Sequence, residues 1–297
     1  MKNLRILVPL DFSDLGNQAL AAARTFVTIF GGRITPFHAY IPITDLDGFY
    51  YMGTGFSAQD NFTEVEKVLL DRLNETAQKH VDQSLLAPAV IDVGNPAQAI
   101  CHAADDYDMI VMGTHGRTGF SRFFMGSVTD KVLRICQKPV LVIEEHSELD
   151  EIKSILVTTD FSENSTMAFP LALDIAKGSA GRIDLVHIVS KEALGYGDDD
   201  EAANHTASAR DKELDEMIDT YFSEIKDRVQ AKTLVSDKSP HEAIAEINKT
   251  GNYNLIVMST VGRTGLEYLR MGSTTSNVAR HVETAVLGVN PEAKREG

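Results

Sequence analysis

The chain carries the same sequence blocks twice and in the same order. The blocks and their repeats are 8–13 (VPLDFS) and 157–162 (VTTDFS), 116–119 and 262–265 (both GRTG), and 125–127 and 271–273 (both MGS). Offsets of 149 and 146 residues indicate one domain duplicated head to tail, with small insertions between the blocks. Since a domain has about 100–200 residues, we predict domains over residues 1–146 and 152–297, joined by a short polar linker.

Composition and charge limit the class of protein and the partners to be expected. Hydrophobic residues make up 43% and charged residues 24% of the chain, as in ordinary globular proteins. No apolar run reaches the about 18 residues of a transmembrane helix, and the chain enters a strand-like run without a signal peptide, so we expect a cytoplasmic protein with no membrane partner. The net charge of −15 argues against nucleic acid and favours a small ligand or a protein partner.

Apolar runs alternate with helical patterns in each half. In the first half we predict strands over 4–10, 33–40, 87–93, 109–112 and 140–143, and helices over 14–30, 63–83, 96–104 and 127–136. Parallel strands need crossover helices. The fold class is therefore α/β, with two tandem doubly wound, Rossmann-like domains of five parallel strands each. The last strands, 140–143 and 286–289, are apolar edges that need a partner, so we expect them to pair within the chain.

Polar and glycine-rich residues follow the strands at the predicted ligand-binding edge of the sheet. Asp11 ends the first strand, a loop from Gly113 to Gly119 follows the fourth, and Gly126-Ser127 opens a helix. Glycines let backbone N–H groups approach an anion, and a helix N-terminus adds donors. A tight surface turn is the alternative, but the same spacing in both halves favours a phosphate cradle. The P-loop and dinucleotide motifs are absent.

The spacing Gly113-x2-Gly116-x9-Gly126-Ser127, with Asp11 after the first strand, resembles the ATP-binding motif of the universal stress proteins. The resemblance covers both halves. It implies a tandem member of that family which binds ATP or AMP, with Mg²⁺ or Mn²⁺ at the phosphates and no side chain assigned to the metal.

The resemblance implies roles for matching residues of the first half. Asp11 bonds the ribose or adenine, the backbone of Ala39 meets adenine, Met112 and Gly113 line the nucleotide, and phosphates lie on Gly116, Gly126, Ser127 and Val128. From charge and position we add His115 and Arg117 as cations beside the phosphates. The candidate cofactor-binding residues are Pro9, Leu10, Asp11, Ala39, Met112, Gly113, His115, Gly116, Arg117, Gly126, Ser127 and Val128.

The second half departs from this motif. Ser259 stands where the first half has Gly113, and a serine tolerates positive φ poorly and places a hydroxymethyl group where backbone should face phosphate. Val261 also replaces His115. We therefore predict a weaker second site, made of Asp160, Ile188, Met258, Ser259, Gly262, Gly272, Ser273 and Thr274.

The cysteines, two matched histidines and one long connector have mainly structural interpretations. Cys101 and Cys136 have no counterparts in the second half, so they are interpreted as reduced thiols packed on helices. His38 and His187 match across the repeat and are interpreted as structural or nucleotide-adjacent rather than as metal ligands. The aromatic segment 41–62 is either a connector or a lid or partner surface.

Three classes of function stay open from sequence. The preferred one is a nucleotide-binding regulator of the stress response, in which occupancy of the first domain changes conformation or partner choice. The alternatives are a slow ATPase or ATP-dependent transferase, and a structural adaptor that binds no nucleotide. Related enzymes carry S-G-G-x-D-S after the first strand, where this chain has Asp11-Phe12-Ser13-Asp14, which lowers the enzyme interpretation. A homodimer of the whole chain and an unidentified protein partner also stay open.

Overall fold

A computed structural model describes residues 1–41, 58–115, 125–147, 149–195, 199–261 and 273–291. Its strands are β1 Leu4–Pro9, β2 Gly32–Tyr40, β3 Val90–Val93, β4 Met109–Gly113, β5 Val140–Ile143, β6 Ser154–Thr158, β7 Arg182–Ser190, β8 Val229–Ser236, β9 Leu255–Ser259 and β10 Ala285–Val289. Its helices are α1 Asp14–Phe30, α2 Ala58–His80, α3 Pro96–Ala103, α4 Ser127–Ile135, α5 Glu163–Thr166, α6 Phe169–Ser179, α7 Lys191–Leu194, α8 Asp200–Tyr221, α9 Pro240–Gly251 and α10 Ser273–His281.

One ten-stranded sheet runs through both halves in the order β3-β2-β1-β4-β5-β10-β9-β6-β7-β8. Strands are parallel within each half, whereas β5 and β10 are antiparallel, with Val142 opposite Val286 and Leu141 opposite Leu287. The doubly wound fold class is therefore confirmed, and the last strands pair within the chain as predicted.

Two apolar layers cover the two faces of this sheet. Alternate residues of β1 supply them, since Ile6 and Val8 belong to one layer and Leu7 to the other. The first layer packs against α1 and α2, and the second against α3 and α4. Both layers continue into the second half, where Ile155 joins the first and Leu156 the second. The halves thus share one core on each face.

Helix starts agree with the predicted caps. The Ser13 side chain accepts from the Gly16 amide at the start of α1, and Asn95 accepts from Gln98 at the start of α3. Ser239 and Glu242 form the predicted capping box of α9. These caps satisfy amides that have no partner inside the helix.

Most predicted bounds lie within one residue of the observed ones, but β3 and α2 differ by more, and α2 begins at Ala58 rather than at residue 63. The third strand begins at Val90 rather than at residue 87, because Pro88 has no N–H to donate to the ladder, although the Ala87 amide donates to the Ile34 carbonyl at 2.8 Å. Helix α2 ends at His80 rather than at residue 83, because Asp82 accepts from the Ser84 amide and begins a short 3₁₀ turn. Most of segment 41–62 lies outside the described residues.

Polar contacts reinforce the junction beside β5 and β10. The Asp130 carboxylate of α4 accepts from Arg134 of its own helix at 2.8 Å and from Arg280 of α10 at 2.8 Å. The Ser276 hydroxyl of α10 lies 3.3 Å from the same carboxylate. Burial alone would raise the pKa of Asp130, but the Arg134 hydrogen bond and the charges of Arg134 and Arg280 lower it on balance. This carboxylate therefore ties the helices of the two halves together.

We expect residues 1–146, expressed alone, to form a homodimer through β5. The fragment loses its β10 partner and exposes the apolar edge Val140–Ile143, which is fully buried in the chain. Sedimentation at several concentrations measures the association, with the full chain as the control. A fragment that stays monomeric and soluble at high concentration contradicts this packing.

We expect Asp130→Asn to destabilise the chain by about 1 kcal/mol at pH 7, because it removes a charge-assisted contact that is partly screened by solvent. A lowered folded-state pKa stabilises the fold above the unfolded value of about 3.9. That contribution disappears as the pH falls through the folded pKa, so the difference between parent and variant should shrink below about pH 4. Urea unfolding at pH 7 and pH 3.5 measures both differences, and a difference that does not depend on pH contradicts the ion-pair account.

Candidate functional site

A cavity of about 260 Å³ opens at the carboxyl ends of β1 and β4, where the strand order reverses. Ten predicted site residues line it, namely Pro9, Leu10, Asp11, Ala39, Met112, Gly113, His115, Gly126, Ser127 and Val128. Gly116 and Arg117 lie outside the described residues. His38, interpreted from sequence as structural or nucleotide-adjacent, also lines it. Lining residues that sequence reasoning missed are Ser13, Gly16, Pro96, Ile100 and Thr129. Ser13 and Pro96 could have been found from sequence, since both stand at predicted helix starts that follow strands.

Larger clefts occur elsewhere in both halves. One of about 650 Å³ lies beside the linker and the start of β10, one of about 570 Å³ lies along β8 beside α9, and one of about 540 Å³ lies at the starts of β1 and β2. None of the three lies where the strand order reverses at the carboxyl ends of the parallel strands. Position in an α/β sheet is a better guide to a ligand site than size, so the smaller cavity is the candidate.

A tight turn presents Asp11 to the cavity. One Asp11 carboxylate oxygen accepts from the Ser13 amide at 3.1 Å and from the Ser13 hydroxyl at 2.6 Å. Phe12, between them, has a left-handed φ of 65°, which a bulky residue adopts only at a cost of about 1–3 kcal/mol. The turn joins the end of β1 to the start of α1, so it fixes the carboxylate at the mouth of the cavity.

Neighbouring groups hold Phe12 in this conformation. Its ring packs on the His38 ring, with centroids 4.9 Å apart, and the Arg72 guanidinium lies 4.3 Å from its centroid. His38 Nδ1 lies 2.6 Å from the Leu10 carbonyl, which can only accept, so Nδ1 carries the proton. This contact supports the structural interpretation of His38, whose ring also lines the cavity.

The second half repeats this arrangement. Phe161 has a φ of 64°. The centroid of its ring lies 4.6 Å from that of the His187 ring and 4.9 Å from the Arg210 guanidinium. His187 Nδ1 lies 2.8 Å from the Thr159 carbonyl. The two arginines come from α2 and α8, whose sequences carry no repeated block, so the repeat could not point to them.

The start of α4 forms part of the wall of the first cavity. The Gly126 amide donates to the Thr114 carbonyl at 2.6 Å, and the Thr129 hydroxyl donates to the Gly113 carbonyl at 2.8 Å. A Cβ on Gly126 would lie 3.3 Å from the Thr114 oxygen, which is a tight contact. The Gly126 amide is therefore engaged with the loop. The first-turn amides of Ser127 and Val128 have no partner inside the helix and form its positive end.

The expectation that position 113 needs a positive φ is wrong. The φ of Gly113 is outside the left-handed region, and a Cβ there would lie 2.6 Å from Leu15 Cγ in α1. Glycine is needed because α1 approaches β4 closely. In the second half Asn164 replaces Leu15, and the Ser259 hydroxyl, which lines the second cavity, donates to the Val261 carbonyl at 2.9 Å. Ser259 therefore carries no strain from a positive φ.

An equivalent cavity of about 210 Å³ lies at the ends of β6 and β9. The predicted residues that line it are Asp160, Ile188, Met258, Ser259 and Thr274. Ser273 begins α10, whereas Gly262 and Gly272 lie outside the described residues.

Three differences separate the two cavities. Ile188 takes the place of Ala39 and brings three more carbons to the wall at that position. Thr159 and Ser165 replace Leu10 and Gly16, and their hydroxyls bond to each other at 2.9 Å. Val261 replaces His115, which removes a titratable side chain from the helix end of the cavity.

Searches for other kinds of site limit the alternatives. Among the described residues, three or more His, Cys, Asp or Glu side chains nowhere come together as a metal cluster. In the same part of the chain, every helix is too short or too polar to span a membrane.

Comparison with known proteins places these features in a family. The model of the universal stress protein family matches residues 2–144 and again 151–290. A universal stress protein of Mycolicibacterium smegmatis is 26% identical over 302 residues, covering 96% of this chain and 97% of the relative. One from Methanocaldococcus jannaschii is 30% identical over 152 residues, covering 47% of this chain and 94% of the relative.

A solved structure shows the same fold over the whole length. The universal stress protein of Archaeoglobus fulgidus aligns with a TM-score of 0.70 at 20% identity, covering 97% of this chain and 98% of that one. The tandem arrangement of two α/β units is therefore shared.

We expect Gly113→Ala to lower the free energy of unfolding by about 1–3 kcal/mol, because the added Cβ overpacks against Leu15. Leu15→Ala alone removes a buried side chain and should lower it by about 2–5 kcal/mol. The loss of free energy in the double variant should be smaller than the sum of the two single losses by at least about 1 kcal/mol, since the truncated Leu15 no longer meets the new methyl group. Urea unfolding of the four proteins measures the coupling. Ser259→Ala is the matched control and should lose little stability, and strictly additive costs at Gly113 and Leu15 contradict the contact.

Proposed function

The chain belongs to the universal stress protein family, and on that premise we propose that it is an ATP- or AMP-binding regulatory protein of the stress response, with the nucleotide held mainly by the first half. One observation carries the proposal. Residues from β1, β2, β4, α3 and α4 converge on a single cavity that is lined by both a carboxylate and a helix N-terminus. An acceptor for hydroxyl groups and a donor site for anions in one cavity suit a ribose and its phosphates.

The sugar and base would lie at the β1 and β2 side of the cavity. Asp11, fixed by its turn, would accept hydrogen bonds from ribose hydroxyls, since an ionised carboxylate is only an acceptor. Ala39, at the end of β2, leaves room for a flat base, and Ile100 and Met112 add apolar surface. Apolar walls with a few convergent polar groups are typical of small-molecule sites.

The phosphates would lie at the start of α4. The amides of Ser127 and Val128 can donate to phosphate oxygens, and the helix dipole favours their negative charge. His115 lines the same end, and Gly116 and Arg117 join it on the motif resemblance. Such local donors offset the repulsion expected from a chain with a net charge of −15. Gly126 shapes the loop, because its own amide already bonds Thr114.

A divalent cation would bind mainly through the nucleotide. Asp11 is the one carboxylate among the described residues that line the cavity, and its Oδ1 already accepts from the amide and hydroxyl of Ser13. Mg²⁺ or Mn²⁺ would therefore be held by phosphate oxygens and water rather than by a protein cage, as Mg²⁺ commonly is.

The second cavity would bind nucleotide more weakly. Ile188 narrows the position of the base, and the polar Thr159–Ser165 pair replaces an apolar wall. Asp160 keeps the same turn, accepting from the Ser162 amide at 3.0 Å, so the sugar end is retained. The expected weakness thus comes from the base end rather than from Ser259.

We expect Asp11→Ala to weaken ATP binding about ten- to a hundredfold, the equivalent of a charge-assisted hydrogen bond of about 1.5–3 kcal/mol. Asp160→Ala is the matched control, because it removes the same carboxylate from the same turn of the second half. It should leave the tight binding event unchanged. Titration calorimetry of both variants and the parent, with ATP, AMP and ADP, measures the affinities.

The outcomes separate the candidate functions. A loss with Asp11→Ala alone supports a nucleotide site in the first half. A loss of affinity with Asp160→Ala alone would place the site in the second half. No nucleotide binding by the parent protein would favour the structural adaptor that binds no nucleotide. Chromatography of the nucleotide after long incubation reports turnover, since accumulating ADP indicates an ATPase.

A further inference from the structure

The wall of the second cavity carries hydroxyl groups where the wall of the first cavity is apolar or lacks a side chain. The four positions are Thr159, Ser165, Ser259 and Thr274, in place of Leu10, Gly16, Gly113 and Val128. Three of these hydroxyl residues are buried, namely Thr159, Ser165 and Ser259. A cavity that had only lost a ligand would not need buried hydroxyls, because each of them requires hydrogen-bond partners. The replacements therefore point to a ligand of a different kind.

The hydroxyl protons beside Asp160 are already committed, so this part of the wall offers acceptors. The Ser165 hydroxyl donates to the Ser162 carbonyl at 2.8 Å, because a carbonyl can only accept. In the contact of 2.9 Å between Thr159 and Ser165, Thr159 is therefore the donor, and its oxygen accepts from the Phe161 amide at 3.0 Å. Toward a ligand these oxygens and the Asp160 carboxylate act as acceptors. Such a wall suits a ligand with several hydroxyl groups.

The start of α10 brings donors to the same cavity. The helix begins at Ser273, and Thr274 and Thr275 of its first turn line the cavity. First-turn amides have no partner inside the helix and form its positive end, which favours an anion. Thr275 is engaged with the strand, since its hydroxyl donates to the Ser259 carbonyl at 2.7 Å. The Thr274 hydroxyl can add a donor that Val128 of the first half lacks. This part of the wall suits a phosphate group.

Room for a base is smaller in the second cavity. Its volume is about 210 Å³, against about 260 Å³ for the first. On β7 and β8 the neighbours Ile188 and Leu234 both pack against the second apolar layer. The matching neighbours on β2 and β3 are the smaller Ala39 and the polar Asp92. The second cavity thus keeps acceptors for hydroxyls and donors for an anion while a pair of large apolar side chains occupies the place of the base.

We propose that the second cavity binds a phosphorylated monosaccharide that carries no base. Hydroxyl groups of the sugar donate to Asp160 and Thr159, and the phosphate accepts from the first-turn amides of α10 and from Thr274. Ile188 excludes the base of a nucleotide. The places of the sugar and the phosphate are taken from the first cavity, so the assignment rests on the proposed function.

Titration calorimetry of the full chain with ribose 5-phosphate tests this assignment, with AMP and inorganic phosphate as the comparison ligands. AMP is the same phosphorylated sugar with adenine attached, so it reports the effect of the base, and phosphate reports the effect of the sugar. The titrations use Asp11→Ala, which weakens the first cavity, as well as the parent. In Asp11→Ala one site per chain should bind ribose 5-phosphate at least about tenfold more tightly than either comparison ligand.

Three further substitutions in the Asp11→Ala chain locate the site. Asp160→Ala should weaken ribose 5-phosphate about ten- to a hundredfold, as expected for hydrogen bonds to a charged group. Thr274→Val should weaken it about tenfold. Ile188→Ala should raise the affinity for AMP at least about tenfold, because it reopens the place of the base. Thr274→Val and Ile188→Ala introduce the residues of the first half, Val128 and Ala39, so both chains should fold.

Several results would overturn the assignment. They are equal affinities for ribose 5-phosphate and phosphate, equal affinities for ribose 5-phosphate and AMP in Asp11→Ala, loss of ribose 5-phosphate binding through Asp11→Ala itself, and unchanged affinity in Thr274→Val. Failure of the proposed function gives a different result, because the parent would then lack an ATP site that Asp11→Ala weakens.

Discussion

The antiparallel pairing of β5 with β10 is the contact on which the rest of this structure depends. It buries two apolar edges that would otherwise be open, and it makes one continuous sheet with a shared core on each face. It also sets the place of the cavities. Because each half is parallel inside and the junction is antiparallel, the carboxyl ends of the two halves point in opposite directions. The two cavities therefore open on opposite sides of the sheet, each at the carboxyl ends of its own strands. Helices α4 and α10 meet at Asp130 beside the junction of the two halves.

Duplication has kept the supporting parts of each cavity and changed the parts that would face a ligand. Both halves retain the left-handed Phe in the Asp-Phe-Ser turn, the His and Arg that hold it, and a Thr hydroxyl that donates to the end of the fourth strand, from Thr129 and Thr275. In contrast, Ala39 and His115 of the first half are replaced by Ile188 and Val261. The proposed weakness of the second site therefore lies in the residues that would face a ligand and not in the scaffold that holds them.

Much of this could be predicted from sequence, because the signals are local. Apolar periodicity located the strands, and side-chain caps such as Ser13 located the helix starts. Features that depend on contacts between distant segments could not be predicted. The sequence shows that position 113 is a glycine but not that Leu15 of α1 lies against it. Nor does the motif reveal that the Gly126 amide is already engaged.

The repeat has built two similar cavities, and we propose that the first is the nucleotide site. Calorimetric titration of the intact chain with ATP is the decisive measurement, because it counts the sites as well as measuring their affinity. We predict one tight site per chain, with any second event much weaker. Two equal sites per chain would contradict the account, because they would show that Ile188 and the Thr159–Ser165 pair do not disfavour the base in the second cavity.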